Sequence, residues 1–469
     1  MALSLVDRKG AAPLATPGSG PDRLVALDGL RGIAALVVVV HHALLTWQVL
    51  AAQYFVDNRG SGSWWLTFTP LHLIWAGTEA VMVFFVLSGL VLALPFLERA
   101  PHPGGWRGYY GQRLVRLYVP VVASVLLAAA FVRTFPREHG ATTSWWFDAH
   151  AVPADAATLA RDAVLVSGVS WVNPSLWSLQ YEVLFSVLLP LHVLAARRLG
   201  ERAGWLVPPL LVLAGAGVLV GEPVLAWLPV FGLGVVMAVL RRRLQRLGSG
   251  ISSGPAARAV WLALTAAAVV LLLAEWWSRG LHQVAPLPLA VARTCGVAGA
   301  VLVVFLAMAC PAAGALLTLR PVRWLGAVSF SLYLVHEPVL VSVSSLVGGS
   351  RRGVAVTLVV GIGLALVLAT VFHRLVEVPS QRLARAVAVR LRGSVAPAAD
   401  APPLKPFLPP VPRHAQGRLP VRAGSVLPRG PAVLPLPTMP IRVQRPAPPR
   451  TRPPVPAGSG GPRAHPVPG

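Results

Sequence analysis

Charge is scarce in this chain of 469 residues: only 12% are Asp, Glu, Lys or Arg, where a soluble globular protein carries about 25%. Lysine is almost missing, with Lys9 and Lys405 the only two, so nearly all of the 41 basic residues are arginines. A formal charge of +24 raises the question of nucleic acid. The placement of the arginines argues against it, because they sit in short connections between apolar runs and in the C-terminal tail. Cysteine is nearly absent too. Cys295 and Cys310 fall in one expected span, about 22 Å apart along a helix, so they cannot bridge within it, and a disulfide framework is excluded. No cleavable signal is expected either, since residues 1–26 are polar and the apolar run after them is long enough to stay as a helix.

What the chain does have is apolar length. Hydrophobic residues make up 55%, in recurring runs of about twenty, enough to cross roughly 30 Å of hydrocarbon. The expected fold is all-α: a polytopic transmembrane helix bundle of about ten spans. They lie at 31–51, 72–97, 114–134, 176–196, 204–220, 223–240, 258–277, 287–309, 324–347 and 353–375. Helices satisfy their backbone polar groups internally, as lipid requires, and the runs are too long and uniform for barrel strands. Arginines such as Arg197, Arg198, Arg241 and Arg242 fall in alternate connections. That puts both termini in the cytoplasm of a multi-pass plasma-membrane protein, although Arg351 and Arg352 run against the rule.

Three regions follow. Residues 1–22 are expected to be a disordered cytoplasmic start, 23–392 the membrane domain, and 393–469 a disordered cytoplasmic tail. The tail holds 22 of the 45 prolines, with Arg, Gly and Ala, and cannot bury enough apolar surface to offset ordering entropy. Its arginines suit anionic lipid; a PxxP partner is the other possibility. The connection 135–175, with "SWWFDAH" and "WVNPSLW", is long and tryptophan-rich. It is either a substrate-facing lid or an interfacial aromatic belt.

Polar groups inside the spans are the candidates for function. In "LDGLRGIAALVVVVHHALLTW", Arg31 and His42 lie 11 residues apart, which returns the helix to within about 20° of one face. His41 points roughly 100° away. The same residues climb about 16 Å, placing Arg31 at the inner surface and His42 near the bilayer midplane. A neutral imidazole there can accept a proton; a histidine that merely bonds across helices is the plainer alternative, and it suits His41 better. In "NPSLWSLQYEVLF", Glu182 lies about 9 Å into its span, with Ser178 one turn before it on the same face. That carboxylate can orient an imidazole, accept a hydroxyl or pair an arginine. In "LGAVSFSLYLVHEPVL", His336 falls near the middle of its span. Three such groups at one depth point to a cavity.

"YYGQRLVRLYVP" sets Arg113 and Arg116 at i, i+3 where the third span begins. Guanidinium forks suit phosphate, so an anionic nucleotide-like donor can dock there from the cytoplasm; ordinary positive-inside anchoring is the alternative. Ser88–Gly89 in "VFFVLSGLVLALPF" either permits close helix packing or lines a channel. Glu377 in "LVEVPSQRL" is an interfacial ion pair or part of a site.

Taken in order, "LDGLRG…HH", "FFVLSG", "YYGQRLVRLYVP", "PSLWSLQYEVLF", "LGAVSFSLYLVHEP" and "VEVPS" resemble the acyltransferase 3 family, integral-membrane proteins that O-acylate carbohydrates and related molecules. The resemblance runs from residue 23 to about 385. It implies an acyltransferase for groups other than amino-acyl groups, with His42 as catalytic base or transient acyl carrier, paired in its motif with Arg31. It implies Glu182 and His336 as further catalytic residues, and Arg113 and Arg116 as holders of acyl-CoA. Ser88, Trp177, Ser178 and Tyr333 fall inside the matching segments as substrate-binding positions. The donor, expected to be acetyl-CoA, would arrive from the cytoplasm. The acceptor hydroxyl, on a carbohydrate, a lipid-linked glycan or a secondary metabolite, would be met at the outer side. No metal is expected. Two departures stand out: Met82 stands where many relatives have an acidic residue, so any role of that carboxylate is absent or passes to Glu79, and "VLFSV" follows Glu182 instead of "QFYL". Some relatives carry a fused extracytoplasmic hydrolase-like domain. Here only the Pro-rich tail follows, so the membrane domain is expected to act alone or with a separate extracytoplasmic partner. A transporter of an acyl group or small polar solute is the alternative for a bundle with intramembrane histidines.

Overall fold

The computed structural model describes residues 22–55, 63–98, 105–135, 137, 143–279 and 286–392. The starting segment and the tail from 393, both expected to be disordered, lie outside the described residues. Each long apolar run forms a helix, and no strand occurs among the described residues. In chain order the long helices are α1 (Asp22–Leu45), α2 (Gly77–Glu98), α3 (Gly105–Thr134), α4 (Trp177–Leu199), α5 (Val207–Val220), α6 (Pro223–Val239), α7 (Arg241–Ser253), α8 (Ala257–Trp277), α9 (Pro286–Ala309), α10 (Arg320–Val347) and α11 (Arg351–Arg392).

By length and composition eight helical stretches suffice to cross a bilayer, or nine when α6 and α7, bent by 71°, count as one broken span. The difference from ten arises at 176–220. The two runs expected there join into one helical stretch, Pro174–Val220, of 47 residues. At 1.5 Å per residue that is about 70 Å, more than twice the hydrocarbon thickness. It is interrupted at the 3-10 turn Gly200–Leu206, where Gly200 adopts φ 51°, a conformation open to glycine at little cost.

α1 begins at Asp22, well before the apolar run, because Asp28 and Arg31 stay partly exposed and pair at 3.9 Å within the helix. It ends at Leu45. His42 therefore sits in the last turn of its helix.

α10 is the most enclosed element, with 72% of its apolar window buried, against 17% for the stretch containing α4 and α5. It packs along α1, α3 and α11. The exposed Val212, Leu213 and Val220 of α5 form a face suited to lipid. Small residues let the central helices touch. A Cβ on Gly89 of α2 would overlap the carbonyl oxygen of Phe231, and one on Gly234 of α6 that of Val86. The two readings of Ser88–Gly89 thus divide between the residues: Gly89 packs, and Ser88 faces a cavity. Gly89→Val is expected to cost about 1–3 kcal/mol through overpacking, seen as a lower melting temperature in detergent. An unchanged melt would contradict this close approach.

α11 carries two π turns, Thr357–Gly361 and His373–Glu377. The second tucks Glu377 inside, where it accepts from Ser331 Oγ (2.6 Å) and Gln381 Nε2 (3.0 Å) and meets His373 Nδ1 (2.9 Å). Both cysteines are free.

Candidate active site

His42 reaches from the last turn of α1 to the middle of α10, and its Nδ1 lies 2.9 Å from Nε2 of His336. The rings are nearly parallel, with centroids 5.1 Å apart. On the far side of His336, Nδ1 faces the carbonyl oxygens of Leu332 (3.0 Å) and Tyr333 (2.9 Å). Carbonyl oxygens only accept, so Nδ1 carries the hydrogen. A neutral His336 then presents a lone pair at Nε2, His42 Nδ1–H donates to it, and the lone pair of His42 is left on Nε2. That nitrogen has no hydrogen-bond partner among the described residues, and the side chain keeps 17% exposure. Two backbone carbonyls thereby fix a tautomer chain that ends in one free base.

A carboxylate stands beside this pair. Glu337, next to His336 in sequence, is 1% exposed. Its Oε2 accepts from the Ser175 backbone N–H at 2.8 Å and from the Ser175 hydroxyl in a shorter bond. Its Oε1 lies 3.3 Å from His150 Nε2 and 4.0 Å from His42 Nδ1. Ser175 Oγ is also 3.5 Å from His336 Nε2.

His150 and Ser175 belong to the tryptophan-rich connection, which folds over this end of the bundle with three short helices, Trp145–Ala149, Ala156–Val164 and the 3-10 helix Pro174–Leu176. Trp146, 3% exposed, stacks on His42 at 5.4 Å, so His42 lies between Trp146 and His336. Ser144 Oγ donates to the Leu45 carbonyl (2.6 Å), Asn173 Nδ2 to that of Leu334 (3.0 Å), and Arg137 Nη1 to that of His150 (2.9 Å). Burial takes the Arg137 guanidinium down to about 10, with Glu337 acting in the opposite sense. These bonds fix the connection over the His42–His336 pair.

Towards the arginine-rich end lies a partly open cavity of about 120 Å³, lined by Arg31, Ser88, Arg113, Arg116, Glu182 and Tyr333 among others. It adjoins an open groove of about 790 Å³ between α2, α3 and α4, and both are lined by Val91, Leu92, Arg113 and Arg116. Arg113 pairs with Glu182 in a short contact and donates from Nε to Ser186 Oγ at 3.0 Å. Ser88 Oγ donates to the same carboxylate at 3.4 Å. Arg116 makes no ion pair or hydrogen bond with a described residue, so the cavity keeps uncompensated positive charge for an anion. At its opposite end Ser178 Oγ and Tyr333 Oη meet at 2.7 Å. One helical turn beyond Tyr333 stands His336, with the two ring centroids 5.9 Å apart.

The structure therefore gathers the expected residues into two groups. Arg31, Ser88, Arg113, Arg116, Ser178, Glu182 and Tyr333 line the cavity. His42 and His336 lie past its end and are not in its wall, separated from it by the Ser178–Tyr333 contact. Glu182 pairs an arginine and sits with that group, not with the imidazoles. Trp177 lines neither space; it packs against Trp227 (5.5 Å) and Phe85 (6.1 Å). His41 has the plainer role, donating from Nδ1 to the Trp75 carbonyl (2.7 Å) and accepting from Tyr54 Oη (3.0 Å). Sequence reasoning missed Glu337, His150, Ser175 and Trp146. An acidic residue inside an apolar span was a usable signal for Glu337; the other three come from a connection without periodicity.

His42 Nδ1, His336 Nε2 and Glu337 Oε1 also lie within 4.8 Å of one another, close enough to hold a cation. The 2.9 Å separation of the two nitrogens is equally that of an N–H···N bond, and the tautomer chain accounts for it with no ion.

An all-helical membrane bundle with an arginine-lined cavity leading to a histidine pair defines the class, and comparison with known proteins gives it a family. The chain belongs to the acyltransferase 3 family, whose acyltransferase-domain model matches residues 24–374; it is an integral-membrane acyltransferase. The acyltransferase MdmB of Streptomyces mycarofaciens is 27% identical over 404 residues, covering 77% of this chain and 92% of that protein. Two local matches are the O-acetyltransferase PaAT-1 of Phomopsis amygdali and protein 2 of the picA locus of Rhizobium radiobacter. The first is 39% identical over 67 residues (14% of this chain, 13% of that protein). The second is 34% identical over 116 residues (24% and 49%). No solved structure matches the chain at a significant level.

Proposed function

We propose that this membrane O-acyltransferase takes an acyl group, acetyl by expectation, from acyl-CoA on the cytoplasmic side. It passes that group to a hydroxyl of a carbohydrate, a lipid-linked glycan or a secondary metabolite. The observation that carries the reading is the arginine-lined cavity that stops one turn short of His336 and His42. With an even number of crossings both termini are cytoplasmic, the protein sits in the plasma membrane, and the tryptophan-rich connection faces outward. The acyltransferase and O-acetyltransferase names of the relatives support the reaction class and the acetyl group.

CoA phosphates meet Arg116, Arg113 and Arg31, and the pantetheine arm follows the cavity past Ser88 towards Tyr333. The acceptor hydroxyl gives its proton to His42 Nε2 while its oxygen attacks the thioester carbonyl. The C–S bond breaks, and the proton passes on to the departing thiolate. In a two-step variant Nε2 itself takes the acyl group before the acceptor oxygen does. Acceptors too large for the lid would need a separate extracytoplasmic partner.

Comparing glycans and metabolites extracted from a deletion strain and its parent tests the reading. One product lacking an acyl group in the deletion strain is the expected result; identical extracts would contradict it. Metal plays no part in this chemistry, so exhaustive dialysis against a chelator is expected to leave the rate unchanged. A rate that falls and returns with zinc would assign the His42–His336–Glu337 group to a cation instead.

A further inference from the structure

Glu337 is a buried carboxylate without a guanidinium or ammonium partner among the described residues. Three carboxylates of the bundle are matched by arginines: Glu182 by Arg113, Glu275 by Arg293 at 3.2 Å, and Glu98 by Arg241 at 2.6 Å; the buried Glu79 and Glu377 are held instead by Trp276 Nε1 and by Ser331, Gln381 and His373. Around Glu337, no arginine or lysine lies within ion-pair distance among the described residues. The groups within 4.0 Å of its carboxylate that can become positive are the imidazoles of His150 and His42. Burying an unmatched carboxylate is costly, and Ser175 spends both its N–H and its O–H on Oε2, as suits a negative oxygen. His150 Nδ1 is committed to the Trp146 carbonyl at 2.7 Å. Its Nε2 contact to Oε1 at 3.3 Å therefore needs one proton held between ring and carboxylate.

We propose that Glu337 is a positioning residue for acyl transfer: it is the charge partner of the imidazolium that forms on His42, and through His150 and Ser175 it ties the lid to that ring. The proposal rests on the reading of His42 as the base. When Nε2 takes the acceptor proton, both ring nitrogens carry hydrogen and the positive charge spreads to Nδ1–H, 4.0 Å from Oε1. No proton moves to Glu337, and the one on Nε2 goes on to the thiolate sulfur. The charge is stabilised only while it exists, which is where stabilisation accelerates a reaction.

The test uses full-length protein in liposomes, radiolabelled acetyl-CoA as donor, and the glycan and metabolite extract of a deletion strain as acceptor. It reads kcat and donor KM for wild type, His42→Ala, Glu337→Gln and Glu337→Asp, with melting temperatures alongside. Glu337→Gln is expected to lower kcat about 100-fold. Because Glu337 lines neither the cavity nor the groove, the KM for acetyl-CoA stays within about twofold. Glu337→Asp keeps the charge but draws back from Ser175, and is expected to recover part of the lost kcat.

A wild-type kcat in Glu337→Gln, or an Asp variant no better than Gln, would overturn the proposal. A loss expressed in donor KM and melting temperature instead of kcat would reduce Glu337 to a structural role, and so overturn it too. If His42→Ala is inactive while Glu337→Gln is unimpaired, only this proposal fails. If His42→Ala retains its rate, the base assignment fails first.

Discussion

His42→Ala is expected to cut acyl transfer by about 10³-fold or more, with folding and donor binding intact. The reasons are geometric. The side chain is held by one hydrogen bond, to His336, and keeps 17% exposure, so among buried groups its loss strands only the lone pair of His336 Nε2, the Ser175 hydroxyl being committed to Glu337. The donor cavity ends before His42, so acetyl-CoA KM should hardly move while kcat collapses, the pattern of an interaction made only in the transition state. His336→Phe is expected to follow more weakly. Without an acceptor for Nδ1–H, His42 is free to take the other tautomer and present N–H where a lone pair is needed. Steady-state rates on both variants, with melting curves, check this. A His42→Ala protein that still turns over would remove the imidazole from the chemistry.

Arg113→Ala and Arg116→Ala are expected to differ in kind, although the residues sit one turn apart on α3. Arg113 is 14% exposed and bound to Glu182, 21% exposed, and to Ser186. Removing it strands a carboxylate inside the bundle, with a stability loss of about 3–5 kcal/mol for a well-buried pair, somewhat less here because Glu182 keeps some solvent. Arg116 has no partner to strand. Its removal should leave the melt unchanged and raise acetyl-CoA KM about tenfold, the worth of a charge-assisted bond to phosphate. Melting temperature and donor KM measured on the two variants separate these outcomes. Equal destabilisation by both would mean that Arg116 is structural after all.

Helices were legible because lipid demands twenty apolar residues and tolerates few charges, and each expected run is helical. The number of crossings was harder to read, since the polar break at 197–203, expected to separate two spans, is a 3-10 turn inside one helical stretch. Arg31, Arg113 and Arg116 could be placed together at the inner surface because charges inside or beside spans have few other uses, but Glu182, grouped by depth with His42 and His336, sits with the arginines instead. The rise of about 16 Å from Arg31 to His42 along one face was legible too, and in the structure Arg31 lines the cavity while His42 lies past its end. Glu337 could have been found by the rule that singled out His42. His150 and Trp146 could not, since only the folding of a long aperiodic connection brings them to α1 and α10.

The most direct measurement is a structure of the protein in lipid with a non-hydrolysable thioether analogue of acetyl-CoA. The expected density runs from the groove beside Arg116 through the cavity, with Tyr333 swung away from Ser178 and the carbonyl analogue within about 3.5 Å of where an acceptor oxygen bonded to His42 Nε2 would sit. An analogue that stops below an intact Ser178–Tyr333 contact, or that lies outside the bundle, would contradict delivery of the acyl group to His42.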